Sequence, residues 1–598
     1  LWVVDRYRYM IEHPQWLPKE GQDELRPFFR AGDDRGRIYR VVPQGSQVKP
    51  PAFLGVQGLS NPAISDAELA EHLESPNGWL RDAAQRLLVQ RNAADSRPVL
   101  RQMLSSGQRP TARLHALCTL AEQRQLNAED VRTGLLDSHE GVRRWAVRLG
   151  GEAGLLEANA AALSKLADDP GLKVRLELAT AAGQLRSELS AEILSQLLLG
   201  TNDGWVHAGV LSSLNSGNAV LVAAAVADRG RGQELEALGQ QAVALGADEQ
   251  VAGLLLSAAS EGGVEAGLRR RELLVGMLQR MLRDAGRLTR LCDLRSGLRE
   301  ALQAALDRAA QEAVGELPAS NRPLAVRLVL LDADLPGRSA VIERLLSPQT
   351  EAALQVLVIQ GLAGRAYDGT AALLLARWNS LTPAVRREAF QAVAGRVGWV
   401  EQLVGKMEAG EISGGELDAA QRQRLLATGD DLLKGRIARL FAAGPEDRRA
   451  AIEAAQPVLG LQGSAERGAA VFAKRCATCH RQNGVGHEVG PNLASLTSRE
   501  PALLLNAILD PSNAVEAKYL NFVAVTDAGR SVSGMLTTET ATGLTFLAAE
   551  GKTETLLRAE IEELRSTGKS LMPEGLEKEL SQQDLADVIE FVRGLGKG

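Results

Sequence analysis

Apolar residues along most of the chain recur at the three- and four-residue spacing of amphipathic helices, in segments separated by polar turns. Between residue 65 and about residue 215 one unit repeats: a polar turn, an apolar residue, Arg and an Ala/Leu-rich helix. The aligned positions, 32, 30, 32 and 32 residues apart, are Arg81, Arg113, Arg143, Arg175 and His207. A period of this size with two helical segments per unit predicts an α-solenoid, because stacking covers the apolar face that each helix pair leaves open.

The repeated unit resembles HEAT repeats, in which an Arg follows the turn between the paired helices. We expect the four arginines, and His207 in the last copy, to cap turns and helices rather than to bind a ligand. The helical pattern continues with a blurred period, and LTPAVRREAFQAV (381–393) looks like another unit. The prediction is therefore HEAT-like repeats over 65–230 and a further helical solenoid over 231–460.

Two regions alternate apolar and polar residues and predict strands instead. LWVVD and GRIYRVV, within residues 1–43, look like the end of a β domain, and the Pro-containing stretch 44–64 looks like a linker. The second region, 522–558, predicts about four antiparallel strands. They are inserted, at about 518–565, into an otherwise helical C-terminal domain, 464–598.

Composition narrows these possibilities. The chain has 598 residues, of which 45% are hydrophobic and only 4% aromatic, so its cores must consist mainly of Ala, Leu and Val. The net charge of −6 argues against a nucleic-acid partner, which usually requires a basic stripe. The longest apolar run, 219–227, is about half the length of a membrane-spanning helix, so no transmembrane segment is expected. Because the chain opens inside a strand without Met, we expect it to be part of a longer protein, and the lack of a signal peptide is uninformative.

The candidate chemistry lies in Cys476-Ala477-Thr478-Cys479-His480, a C-x-x-C-H motif typical of covalent haem attachment. Two thiols one helical turn apart can form thioethers to the haem vinyl groups, and the adjacent imidazole then lies beneath the iron as its proximal ligand. A redox or zinc C-x-x-C site is the alternative. Zinc would need two more ligands, and only His487 is near. The other cysteines, Cys118 and Cys292, stand alone in helical patterns and are expected to be small buried hydrophobes.

The sequence after the motif favours haem. Gly490-Pro491-Asn492-Leu493 has the spacing of the turn that lines the haem edge in single-haem cytochromes, and GKSLMPEGL precedes a capped amphipathic helix. We expect Met572 to be the distal ligand. The alternatives are His487, Met535 (expected to be a core residue) and an iron without a protein ligand on that side.

The segment with CATCH, VGPNL, AILDPSNAV, IEELR and SLMPEGLEKELSQQDLADVIEFV resembles the planctomycete/verrucomicrobial-type haem-binding domain over about residues 464–598. LWVVDRYRYMIEHPQWLP and AGDDRGRIYRV, in 1–42, resemble the closing segment of the propeller-type membrane-bound dehydrogenase domain, which is similar to sugar dehydrogenases of the glucose/sorbosone type. The resemblance implies the order propeller, solenoid, cytochrome c. Most of the propeller would lie outside this chain, so no catalytic residue is assigned, and we expect no turnover by this chain alone.

These observations give two functional hypotheses. The first is a c-type cytochrome module, with one covalent haem c, that passes electrons from an upstream dehydrogenase domain or redox partner acting on a sugar-like substrate. The second is a solenoid scaffold that binds a protein partner and carries a haem-based sensor. Thioether attachment occurs outside the cytoplasm, so a periplasmic or other extracytoplasmic location is expected.

Overall fold

The computed structural model describes residues 2–8, 13–42, 44–45, 64–92, 94–229, 234–260, 264–315, 321–365, 367–442, 446–513 and 515–595. The chain divides into two compact units, Leu1–Leu185 and Arg186–Gly598. Most of the linker predicted at 44–64 lies outside the described residues. None of the described helices combines the length and the hydrophobicity needed to cross a membrane.

The first unit contains a β-ribbon and a series of paired helices. The two strands expected in residues 1–43 are β1 (Trp2–Asp5) and β2 (Arg37–Arg40). They pair with each other in antiparallel orientation, and a short helix lies between them in the chain. The helices of this unit are α1 (Lys19–Leu25), α2 (Asp66–Glu71), α3 (Gly78–Arg91), α4 (Arg97–Ser106), α5 (Pro110–Glu122), α6 (Ala128–Leu135), α7 (Glu140–Glu152), α8 (Ala160–Leu166) and α9 (Leu172–Ala182).

These helices form two layers. In one layer α3, α5, α7 and α9 pack against one another in succession, and in the other α2, α4, α6 and α8 do the same. Packing of every second helix is the arrangement of a solenoid, and the buried side chains are almost all Leu, Val and Ala. The α-solenoid predicted from the 30- to 32-residue period is therefore confirmed within this unit.

Arg81, Arg113 and Arg143 cap turns, as predicted. Arg113 and Arg143 each donate from Nη1 to the carbonyl oxygen six residues earlier, over 2.8 and 2.9 Å. Each guanidinium also forms a two-point ion pair with an aspartate of the next repeat, Asp137 for Arg113 and Asp169 for Arg143. Arg81 makes the same backbone contact, to the Ser75 carbonyl. The arginine thus ties each turn to the following repeat.

The second unit continues the paired helices. They are α10 (Ser187–Gly200), α11 (Gly204–Ser212), α12 (Ala219–Arg229), α13 (Leu235–Leu245), α14 (Asp248–Ala259), α15 (Val264–Met281), α16 (Ala285–Leu294), α17 (Leu298–Val314), α18 (Arg322–Leu331), α19 (Ser339–Leu345), α20 (Ala352–Arg365), α21 (Thr370–Ala376), α22 (Pro383–Val393), α23 (Val397–Glu408), α24 (Ala419–Leu426), α25 (Asp431–Ala442) and α26 (Glu446–Ala454). In this unit His207 contacts the Thr201 carbonyl through Nε2 and Glu234 through Nδ1, and so replaces the repeat arginine in both of its contacts.

The C-terminal part of the second unit combines three helices with a sheet. The helices are α27 (Ala465–Arg475), α28 (Pro501–Leu509) and α29 (Gln582–Gly594). The strands are β3 (Leu520–Thr526), β4 (Ser531–Glu539), β5 (Gly543–Leu547), β6 (Thr553–Leu557) and β7 (Ile561–Ser570), antiparallel in the order β6-β5-β4-β3-β7.

The estimate of about four strands was therefore too low. The fifth strand, β7, has the sequence IEELRSTGKS, and its pairing with β3 is interrupted by register shifts. A bulge breaks the two-residue alternation of this strand. Its buried residues Ile561, Leu564 and Ser566 are therefore not evenly spaced. The strand escapes detection by periodicity, and the sheet runs to residue 570 rather than to about 565.

The sheet packs through buried charged groups on the paired helices of the second unit, α10 to α26, which we call the helical array. Arg558, only 2% exposed, donates to the carbonyls of Pro348 and Thr350 over 2.8 and 3.1 Å and pairs with Glu539. A second buried pair, Arg386 with Glu416, lies within the helical array, and Arg386 also reaches the Ser566 hydroxyl on β7 at 3.5 Å.

Cys118 and Cys292 are half-buried rather than fully buried as expected. Burial raises the pKa of the Cys118 thiol to about 11 and also raises that of Cys292. At neutral pH both thiols are protonated, in agreement with a packing role.

Candidate haem-attachment site

The C-x-x-C-H motif lies at the end of α27. Ser464 caps the start of this helix, and its last turn passes directly into the motif, where the Cys476 N–H donates to the Phe472 carbonyl over 2.8 Å. The N–H groups of Cys479 and His480 then donate to the Cys476 carbonyl at 3.1 and 2.9 Å. One tight turn therefore holds both thiols and the imidazole, the three groups that the motif predicts to act together.

The imidazole of His480 is held in one orientation. The side chain is buried, and its Nδ1 lies 2.9 Å from the Pro491 carbonyl oxygen. A carbonyl can only accept, so Nδ1 carries the proton and Nε2 presents its lone pair, the arrangement in which a histidine binds a metal. Burial also lowers the pKa of His480 and so favours the neutral, ligating form.

The loop after the motif approaches this imidazole so closely that side chains are excluded. A Cβ on Gly490 would lie 2.5 Å from Cε1 of His480, and a Cβ on Gly486 would overlap the His480 carbonyl oxygen. The backbone of Gly486 has φ of +94°, which L side chains rarely adopt. Two hydrogen bonds, from His487 N–H to Ala477 and from Val489 N–H to Cys479, hold the loop in place.

Helices α27 and α29 cross in direct contact at Gly468. A Cβ there would overlap the carbonyl of Asp587, so the two backbones meet without intervening side chains. One turn further on, the rings of Phe472 and Phe591 are 5.3 Å apart. The Arg467 guanidinium forms a two-point ion pair with Asp587 over 2.7 Å. Sequence reasoning missed this crossing, although the spacing of Gly468 and Phe472 was a usable signal.

The two thiols lack the lowered pKa that is typical of a reactive C-x-x-C pair. Burial raises the pKa of Cys476 to about 11 and raises that of Cys479, whereas reactive C-x-x-C thiols have a lowered pKa. Among the described residues, no group of three or more His, Cys, Asp or Glu side chains is arranged to hold a metal ion.

A turn of the sheet touches the motif from the side. The N–H of Glu550, between β5 and β6, donates to the Thr478 carbonyl over 2.8 Å. At the next residue, a Cβ on Gly551 would lie 3.4 Å from Nδ1 of His487. These contacts join segments about 70 residues apart, and no local sequence pattern announces them.

The three candidates for the distal ligand occupy different places. Met572 lies two residues beyond β7, half-buried, and its N–H donates to the Ser570 hydroxyl over 3.1 Å. Met535 is buried in β4, as its assignment to the core predicted, and the side chain of His487 is exposed. Distal ligation by Met572 stays a prediction.

Comparison with protein families gives two matches. Residues 465–528 match the model of the cytochrome c family. This segment begins with α27 and includes Cys476, Cys479 and His480, so the chain carries a cytochrome c domain, and such a domain supports a haem-based electron-transfer module. Residues 1–45 match a domain of unknown function, DUF7133, which assigns no activity to the N-terminal ribbon.

Solved structures similar to this chain include two of the karyopherin Kap121p. One, bound to the extreme C-terminus of the protein phosphatase Cdc14p, is 12% identical with a TM-score of 0.34. Another, bound to Nup53p, is 14% identical with a TM-score of 0.32. Each match covers 63% of this chain and 45% of the karyopherin, so the chain spans less than half the length of these structures. Scores of this size bear on neither function nor partners.

Proposed function

We propose that this chain is the c-type cytochrome module of an extracytoplasmic dehydrogenase and carries one covalent haem c. The observation that carries the proposal is the hydrogen bond from Nδ1 of His480 to the Pro491 carbonyl. It leaves Nε2 without a hydrogen-bond partner in the described part of the chain, at a residue that follows the two thiols of the attachment motif.

The residues of the site fit the group. Cys476 and Cys479 would hold the haem through thioethers, and His480 would be the proximal ligand of the iron. When bound, haem supplies one-electron oxidation and reduction at its iron. The protein contributes orientation and shielding: the Pro491 carbonyl fixes the imidazole, and Phe472 and Val588 pack with Cys476 in a buried apolar cluster.

Met572 would complete the site as the distal ligand. A thioether in this position raises the haem potential relative to a second imidazole, which suits a carrier that receives electrons from a dehydrogenase. The long stretch of chain between His480 and Met572 contains the sheet. Its last strand, β7, ends at Ser570 and returns the chain to the helical part.

The upstream partner in this proposal is a propeller-type dehydrogenase domain acting on a sugar-like substrate. Its support is the resemblance of residues 1–42 to the closing segment of such a domain, together with the two-stranded ribbon that they form. Both strands of the ribbon expose large apolar side chains, with Trp2 64% and Ile38 67% exposed, as expected for strands that pack on further sheet. Thioether attachment supports the extracytoplasmic location.

The test is the visible and near-infrared spectrum of the protein produced with haem-maturation machinery, compared with Met572→Ala. We expect covalent haem in both and loss of the weak Met–iron charge-transfer band in the variant. Met535→Leu, which changes a buried methionine of the sheet, is the matched control and should keep the band. An unchanged spectrum in Met572→Ala would remove Met572 from the site, and absence of covalent haem would contradict the proposal as a whole. A reduced haem that binds carbon monoxide readily would instead favour a sensor.

A further inference from the structure

A polar cleft separates the helical array from the sheet in the second unit. Its volume is about 630 Å³, within the range of small-molecule sites. Three segments form its walls: the turn around residues 410–416 with Arg422 of α24, the turn after α28, and the end of β7 from Arg565 to Lys569.

The carboxylates that line this cleft are already neutralised or engaged. Glu411 pairs with Lys406 over 2.6 Å, Glu574 pairs with Lys569 over 2.8 Å, and Glu416 forms the buried pair with Arg386. Asp510 is buried and also has an interaction within the protein. The acidic groups therefore leave little negative charge available to a ligand.

Two arginines that line the cleft, Arg422 and Arg565, differ from these carboxylates because their charge is not neutralised by an ion pair in the described residues. Arg422 donates through Nε to the Leu417 carbonyl and through Nη2 to the carbonyls of Gly414 and Asn513. The guanidinium also lies over the ring of Phe441, 5.3 Å from its centroid. These contacts fix its plane but do not neutralise its charge, and within the described residues neither Arg422 nor Arg565 forms an ion pair with a carboxylate.

We propose that this cleft binds a small oxyanion, a carboxylate or phosphate borne by a hydroxylated molecule. An arginine whose orientation is fixed by the protein, and whose Nη1 makes no hydrogen bond to the residues that the structure describes, loses little conformational entropy on binding such a group. Arg565 supplies a second positive charge from the opposite wall. The hydroxyl of Ser413, which also lines the cleft, accepts from the Gly415 N–H and so keeps its own proton to donate to a hydroxylated ligand.

The cleft adjoins the segment that carries the predicted distal ligand. Lys569 and Glu574 line it, and their ion pair spans the loop that contains Met572. An anion that attracts Lys569 would weaken this pair and so act on the loop. This consequence rests on the proposed function, whereas binding itself does not.

The binding test uses the full chain with its haem and isothermal titration with three probes: inorganic phosphate, glycerate and the neutral polyol glycerol. We expect phosphate and glycerate to bind and glycerol not to bind. R565M, in an exposed side chain, should weaken binding of the anions about tenfold without affecting folding, and R422M should weaken it at least as much. R424M is the matched control on the same helix, since Arg424 does not line the cleft.

Three results would overturn the proposal: no binding of either anion, equal binding of glycerol and glycerate, or equal weakening by R424M and R565M. The link to Met572 has its own measurement, the haem midpoint potential with and without phosphate in the parent and in R565M. A phosphate-dependent shift that R565M abolishes supports the link, and bound phosphate with no shift refutes it. Phosphate binding in Met572→Ala separates failure of the site from failure of the proposed ligation.

Discussion

The haem-attachment segment and the junction between the sheet and the helical array are held together by different kinds of interaction. The attachment segment lies within about 30 consecutive residues and is shaped by backbone hydrogen bonds and by glycines that allow close approach. At the junction, Arg558 is brought against the Pro348 and Thr350 carbonyls, which lie about 210 residues earlier in the chain. The residues of the attachment motif are thus positioned by contacts that are close in the sequence. The sheet is held on the helical array by buried charged groups that are distant in the sequence.

The largest effect that separates the two regions should come from the thiols. In the double variant Cys476→Ser/Cys479→Ser no thioether can form, so we expect complete loss of haem that survives denaturing electrophoresis, measured by haem staining. Cys118→Ser removes a half-buried thiol elsewhere and should keep full staining. Covalent haem in the double variant would disprove the attachment site.

The next effect concerns the junction. Arg558→Met leaves Glu539 and several carbonyls without their buried donor, so we expect the free energy of unfolding to fall by about 3–5 kcal/mol, measured by chemical denaturation. Haem attachment should persist, since the motif is not touched.

Arg436→Met is the matched control for this variant, because the Arg436–Glu408 pair is considerably more exposed to solvent. Its cost should be about 1 kcal/mol or less. Equal losses in the two variants would show that burial at the junction contributes nothing, and the contrast between the two regions would fail.

The third effect returns to the haem domain and tests close approach of backbones. A methyl group in Gly468→Ala would overlap the Asp587 carbonyl and separate α27 from α29, at an expected cost of about 1–3 kcal/mol in the unfolding of this domain. Gly594→Ala, where a Cβ meets no atom within 4 Å, is the control and should be neutral or slightly stabilising. The haem absorbance during denaturation reports the difference, and a neutral Gly468→Ala would contradict the crossing.

The smallest effect is a dependence on pH at the same crossing. The hydrogen bonds from Arg467 lower the pKa of Asp587, so its ionised form stabilises the folded domain. This contribution is complete above the unfolded-state pKa of about 3.9 and is lost as the pH falls through the lower folded-state value.

Asp587→Asn should therefore destabilise the domain at pH 7, by less than Gly468→Ala does, and its denaturation midpoint should approach that of the parent at low pH. Glu590→Gln, on the same helix but paired at the surface with Arg593, should change little at any pH. A constant difference between parent and Asp587→Asn from pH 7 to acid would show that the carboxylate charge is not the cause.

Much of the fold was predictable because its signals are local. The repeat arginines were identified from a period of 30–32 residues, and their capping contacts follow from one helix-turn-helix unit repeated. Strand β7 was not predictable as a strand, because its bulge against β3 destroys the alternation on which strand prediction depends. Arg143 and Arg386 occupy similar positions in the sequence pattern, and the sequence does not show that Arg386 is buried against the Ser566 hydroxyl of β7.

The sequence alone determined the helical repeats, the C-x-x-C-H motif and the neighbouring Gly-Pro turn, since each depends on residues close together in the chain. Only the tertiary structure decided which nitrogen of His480 is free, because that depends on the position of the Pro491 carbonyl. It also decided that Arg422 and Arg565 line one cleft and that neither pairs with a carboxylate among the described residues. The direction of a hydrogen bond and the neutralisation of a charge depend on which residues are neighbours in space. The order of residues in the chain does not show which residues these are.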